Sequence, residues 1–97
     1  MAYKILYFDE ALDNVKESKK WYKEQKNGLQ NVFASSIKSA IIRVQANPLV
    51  FAVRYRNIRI AHPYKFPFSI HFYIDEPRKL IVITNIIHDH RDIETKQ

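Results

Sequence analysis

Cysteine is absent from all 97 residues, which excludes a disulfide framework, a thiolate zinc site and every thiol nucleophile. No stretch reaches the ~18 continuous apolar residues of a membrane span. The opening MAYKILYFDEAL carries only a short apolar run with acids close behind it, unlike a signal peptide. A soluble, unprocessed cytoplasmic chain is therefore expected. Internal repeats and low-complexity segments are also missing. The most informative gap is one of charge: all ten acids fall between Asp9 and Glu24 or between Asp75 and Glu94, so residues 25 to 74 contain no carboxylate.

Against that gap stand Lys26, Lys38, Arg43, Arg54, Arg56, Arg59 and Lys65 in the same acid-free half, within a chain of net charge +6. A one-sign field of this kind steers phosphate or an acidic polypeptide toward the surface. Arg54, Arg56, Arg59, Lys65 and, near the end, Arg91 are the candidate partner- or phosphate-binding residues. With 46% apolar residues, the chain suits a single domain over 1–97. A domain of this size buries roughly two-thirds of the surface its unfolded form exposes, enough for one core without staples.

YKILYF at 3–8 is aromatic and β-branched enough for a short strand, after which Asp9 is placed to cap a helix. From Glu10 to Lys26, Ala11, Leu12, Val15 and Tyr22 recur at helical spacing until Asn27-Gly28 supplies a stop. Phe33, Ile37, Ala40, Ile41 and Val44 continue a second stripe as far as Asn47-Pro48, where the residue before proline avoids the helical region. Trp21, Tyr22 and Phe33 read as core. Beyond Pro48 the period becomes 2. VRYRN and IRI alternate apolar residues with Arg54, Arg56 and Arg59, which predicts arginines along a wet strand face, with a break near Asn57. FSIHFYI sets Phe68, Ile70, Phe72 and Ile74 against Ser69, His71 and Tyr73, and DEPRK turns the chain. LIVITNII at 80–87 is apolar on both faces, as a central strand is. The predicted class is α+β: an N-terminal strand, a helical hairpin, then antiparallel strands forming a twisted sheet of about four strands. The hairpin covers one sheet face and leaves the other for function.

IIHDHRD at 86–92 is the chemically suggestive segment. On a continuing strand, His88 and His90 share one side and Asp89 takes the other. Two histidines fall short of the ligand count of a zinc site, and no third ligand is evident, so no metal and no cofactor are expected. As an acid–base pair, with Arg59 and Arg91 stabilising a phosphate-centred transition state, they would suit metal-independent RNA cleavage. That requires Arg59 and His88 to lie close in space. A polar strand end bonded to its neighbours accounts for the same residues without chemistry. His62, beside Pro63, and His71, on the polar side of its strand, read as surface residues.

The order of a strand, a helical hairpin with WY late in its first helix, NP closing the second, then VRYRNIRIAHPYKFPFSIHFYID and LIVITNIIHDHRD, resembles the ParE/RelE superfamily of type II toxin–antitoxin toxins, including plasmid stabilisation proteins. The resemblance runs from Tyr3 to about Asp92. It implies a toxin silenced by an acidic cognate antitoxin, with DNA gyrase as target in ParE-like members and ribosome-bound mRNA, cut by an mRNA interferase, in RelE-like ones. A homodimer or a toxin–antitoxin hetero-oligomer would fit. Of the RelE-type nuclease constellation only Arg59 and His88 or His90 carry across, because residues 25 to 74 hold no carboxylate and few lysines, and no tyrosine follows Tyr73. The His88-x-x-Arg91 ending is more like the ParE branch, although the Pro and Trp common after that ending are replaced here by IETKQ. A ParE-like gyrase inhibitor is the favoured expectation. The alternatives are a RelE-like endoribonuclease and a degenerate toxin that only binds antitoxin.

Overall fold

The computed structural model of the protein describes residues 3–90. Strand β1 (Lys4–Tyr7) leads into helices α1 (Asp9–Gln25) and α2 (Leu29–Ala46). A 3-10 turn at Pro48–Val50 follows, then strands β2 (Val53–Tyr55), β3 (Ile58–Ala61), β4 (Phe68–Asp75) and β5 (Leu80–His88). They form one five-stranded sheet of order β1-β5-β4-β3-β2. Four strands come from the C-terminal half because VRY and IRIA are separate strands joined at Arg56-Asn57, where Arg56 takes φ 51°.

All strand pairs are antiparallel except β1 with β5, which run parallel, Lys4 opposite Leu80 and Tyr7 opposite Ile83. The helical hairpin carries the chain away from β1, so the first strand is free to pair with the last in the same direction. β5 thus lies between β1 and β4, which explains why Ile81, Val82, Ile83 and Thr84 are all buried.

Ala11, Ser18 and Tyr22 of α1 and Phe33, Ile37, Ala40, Ile41 and Val44 of α2 are buried at helical spacing. They meet Phe68, Ile70, Phe72, Ile81, Ile83 and Ile86 of the sheet in one core. Tyr22, Phe33, Phe66 and Phe68 form an aromatic cluster there, with Phe33 and Phe68 centroids 4.8 Å apart. The helix turn depends on Gly28, whose φ of 99° is a conformation that a side chain disfavours.

Three local expectations are corrected. Asp9 is the first helical residue and caps nothing; Phe8 occupies the cap position, and Asp9 and Glu10 instead place negative charge in the first turn. Leu12 is 51% exposed, because the buried stripe is Ala11, Ser18 and Tyr22, which turns Leu12 outward. Trp21, next to Tyr22 on the helix, is 46% exposed and meets the core only edge-on through the Tyr22 ring.

Candidate functional site

The pairing register decides which face each candidate residue occupies. Val53, Arg59, Phe72, Ile83 and Tyr7 form one row across all five strands, and fully buried Phe72 and Ile83 place that row on the helix side. Arg59 therefore projects toward the helix side. Its Nη1 donates a hydrogen bond of 2.6 Å to the Phe51 carbonyl, tying the segment before β2 to β3. This corrects the expectation that all the arginines line the wet face: Arg59 pairs with Val53, so Arg54, the neighbour of Val53, takes the opposite side.

On that opposite, open face, Arg54 lines a recess with Ile60, His62, Ser69, His71 and Asp89. Ser69 Oγ donates to the Asp89 carboxylate, and Tyr55 Oη and His71 Nδ1 are hydrogen-bonded at 2.8 Å. His62 Nδ1 lies 3.0 Å from the Phe68 carbonyl oxygen. The face is mixed rather than uniformly basic, because Val82 lies buried on it between exposed Leu6 and half-buried Tyr73 in register.

His88 pairs with Phe68 and stands on the helix side, its ring edge-on to Phe68 at 5.1 Å. The strand ends there, so His90 reaches the same neighbourhood by a turn rather than by strand alternation. Its backbone N–H donates to His88 Nδ1 at 3.1 Å, and the two rings lie 5.7 Å apart. Arg59 and His88 sit opposite residues four apart on β4, one on each side of that strand. At about 3.3 Å per residue and about 4.8 Å between strands, their backbones are roughly 16 Å apart. Fully buried Phe68 and Phe72 lie between them.

The remaining basic residues are distributed. Arg56 is exposed in the β2–β3 turn. Lys65 lines a shallow hollow over α2 with Ser36 and Tyr64. Arg43 donates from Nη2 to the His62 carbonyl at 3.1 Å and lies over the Tyr64 ring, so it fastens the 62–66 loop to α2. Arg54 thus faces the open recess, Arg59 and His88 face the helices, and Lys65 belongs to another surface. Arg91 lies outside the described residues. Among the described residues, no group of three or more His, Asp or Glu is placed to hold a metal ion. No described helix is long and apolar enough to cross a membrane.

The sequence reading missed the Ser69–Asp89 and Tyr55–His71 pairs. Alternation along β4 does put Ser69 and His71 on one face, but their partners, Asp89 just past β5 and Tyr55 on β2, depend on register and on where β5 ends. No protein-family profile matches the chain. No curated protein does either. The fold is shared with a chain of a solved structure described as "Chromosomal ParDE TA system from P. aeruginosa", at 18% identity and a TM-score of 0.73. The match covers 89% of this chain and 95% of that one. The ParE-like α+β architecture implied by the sequence resemblance is thus the architecture present.

Proposed function

We propose that this protein is the toxin of a type II toxin–antitoxin pair, held silent by an acidic cognate antitoxin, and that it acts in the cytoplasm by binding DNA gyrase rather than by cutting RNA. The toxin assignment rests on the fold shared with a ParDE component together with the resemblance running from Tyr3 to about Asp92. An acid-free span from residue 25 to 74, with Arg54 and Arg56 exposed at the β2–β3 hairpin, supports an acidic partner. The observation that favours binding over catalysis is the separation of Arg59 from His88. Fully buried Phe68 and Phe72 stand between the two on the helix side and the Arg59 guanidinium is engaged with Phe51, which disfavours their acting together as base and phosphate clamp on one ribose 2′-hydroxyl.

Regulated expression in a bacterium, with plasmid supercoiling and transcript integrity followed together, tests this reading. Growth arrest with loss of negative supercoiling and intact mRNA is expected. Replacing Arg54 and Arg56 together by glutamate should slow association with the acidic antitoxin and flatten its salt dependence while leaving the fold in place. Transcripts cut at the ribosome, with cleavage abolished by His88→Ala, would replace gyrase binding with the endoribonuclease reading. Harmless expression without a partner would remove toxicity altogether.

A further inference from the structure

A cleft of about 550 Å3 lies away from the open sheet face, where α1 and α2 meet the end of β5. Ala11, Val15, Ile37, Ile41 and Ile86 line it. Ala11 and Ile86 are no more than 1% exposed and Ile37 only 4%, so the floor of the cleft is apolar and almost closed to solvent. A volume of this order falls within the range of small-molecule sites.

The rim has one sign. Lys16 and Lys19, three apart on one face of α1, and Lys38 from α2 all line the cleft, and no carboxylate does. Among the described residues the ion pairs are Arg78–Asp75 and Lys79–Glu76, so none of these three lysines forms an ion pair with a described residue. Tyr7 adds a phenol at the rim. Burial pushes its pKa above the ordinary tyrosine value, so the hydroxyl stays protonated and able to donate at neutral pH.

From the pairing of this slot with this rim, we propose that the α1–α2 cleft binds an anionic amphiphile, a single apolar chain in the slot with its terminal carboxylate among Lys16, Lys19 and Lys38. Apolar burial supplies the affinity and the lysines select the head group. The proposal does not depend on the toxin assignment.

Calorimetric titration of the full chain with dodecanoate below its micelle concentration tests it, with dodecylammonium as the charge-reversed control. One saturable site is expected, with dodecylammonium weaker by roughly ten-fold at low salt, a gap that closes as salt rises. Ala34→Trp, at a partly buried lining position, should abolish binding by filling the slot. The milder Ala34→Leu should weaken it if the larger ring prevents folding. Joint replacement of Lys16, Lys19 and Lys38 by glutamine should bring the two head groups to equal affinity. Absence of a saturable site, equal binding of both head groups to the unaltered chain, or binding insensitive to both sets of variants would overturn the proposal. So would occupation of the cleft only by an acidic, apolar peptide.

Discussion

Arg59 and Phe51 are joined side chain to backbone across the hairpin edge, with Nη1 of the arginine 2.6 Å from the carbonyl oxygen. An arginine that the sequence marks for phosphate contact thus holds the segment before β2 in place. Arg59→Ala should cost about 1.5 to 3 kcal/mol in denaturant-induced unfolding, the range for a hydrogen bond to a charged group. Arg59→Lys should recover only part of it, since an ammonium lacks the planar fork. Equal stability of Arg59→Ala and the unaltered chain would show the bond contributes nothing.

Asn14 completes β5 where β1 runs out. Among the described residues, the outer edge of β5 has no strand partner beyond Ile83, and the Ile86 N–H donates instead to Asn14 Oδ1 at 3.0 Å. Asn14→Ala leaves that donor unpaired beside the core and should cost about 1 to 3 kcal/mol. Hydrogen exchange at the Ile86 amide, faster in the variant while β4 amides are unchanged, is the specific readout.

Phe33 and Trp21 belong to the same aromatic group but differ in burial, 0% against 46% exposed. Phe33→Ala should destabilise by about 3 to 5 kcal/mol because it empties a site among Tyr22, Phe66 and Phe68. Trp21→Ala should cost much less. Comparable losses in thermal unfolding would mean the cluster is not organised around Phe33.

Glu76 joins the start of the chain to the β4–β5 turn, accepting from Lys79 Nζ at 2.9 Å and from Tyr3 Oη at 2.8 Å. The Lys79 bond first, and then the Tyr3 bond, hold its pKa below the ordinary carboxylate value. A carboxylate depressed on folding adds stability above its unfolded pKa and loses it as pH falls through the folded one. Lys79 and Tyr3 are shifted upward, first of all by their hydrogen bonds to Glu76, and their contributions fade as pH rises through their own folded values. The stability difference between the unaltered chain and Glu76→Gln should therefore be largest near neutrality and shrink in acid. A pH-independent difference in denaturation midpoint would contradict it.

Period and punctuation made most of the fold legible. Phe33, Ile37, Ala40, Ile41 and Val44 are the buried stripe of α2, and the alternation of FSIHFYI matches its two faces. The site was less legible because it depends on parity across turns. Arg54 and Arg59 look alike on paper, yet Arg59 pairs opposite Val53 and so faces away from Arg54. His88 and His90 approach each other because β5 ends between them, a break that periodicity does not mark. Lys38 stood out only as one cation of the acid-free half and Lys16 and Lys19 not at all, since only the crossing of two helices brings the three to one rim.

The parallel pairing of β1 with β5 also sets the order of assembly. Lys4 and Leu80 are register partners across almost the entire length of the fold. During synthesis, an emerging N-terminal portion has its helices but lacks the strand that supplies Ile81, Ile83 and Ile86 beneath them, so β1 waits unpaired. Long-range closure of this kind is slow to nucleate, and it makes sheet completion a late, all-or-none event on the growing chain. Truncation anywhere before β5 should yield a collapsed, aggregation-prone polypeptide rather than a smaller folded one.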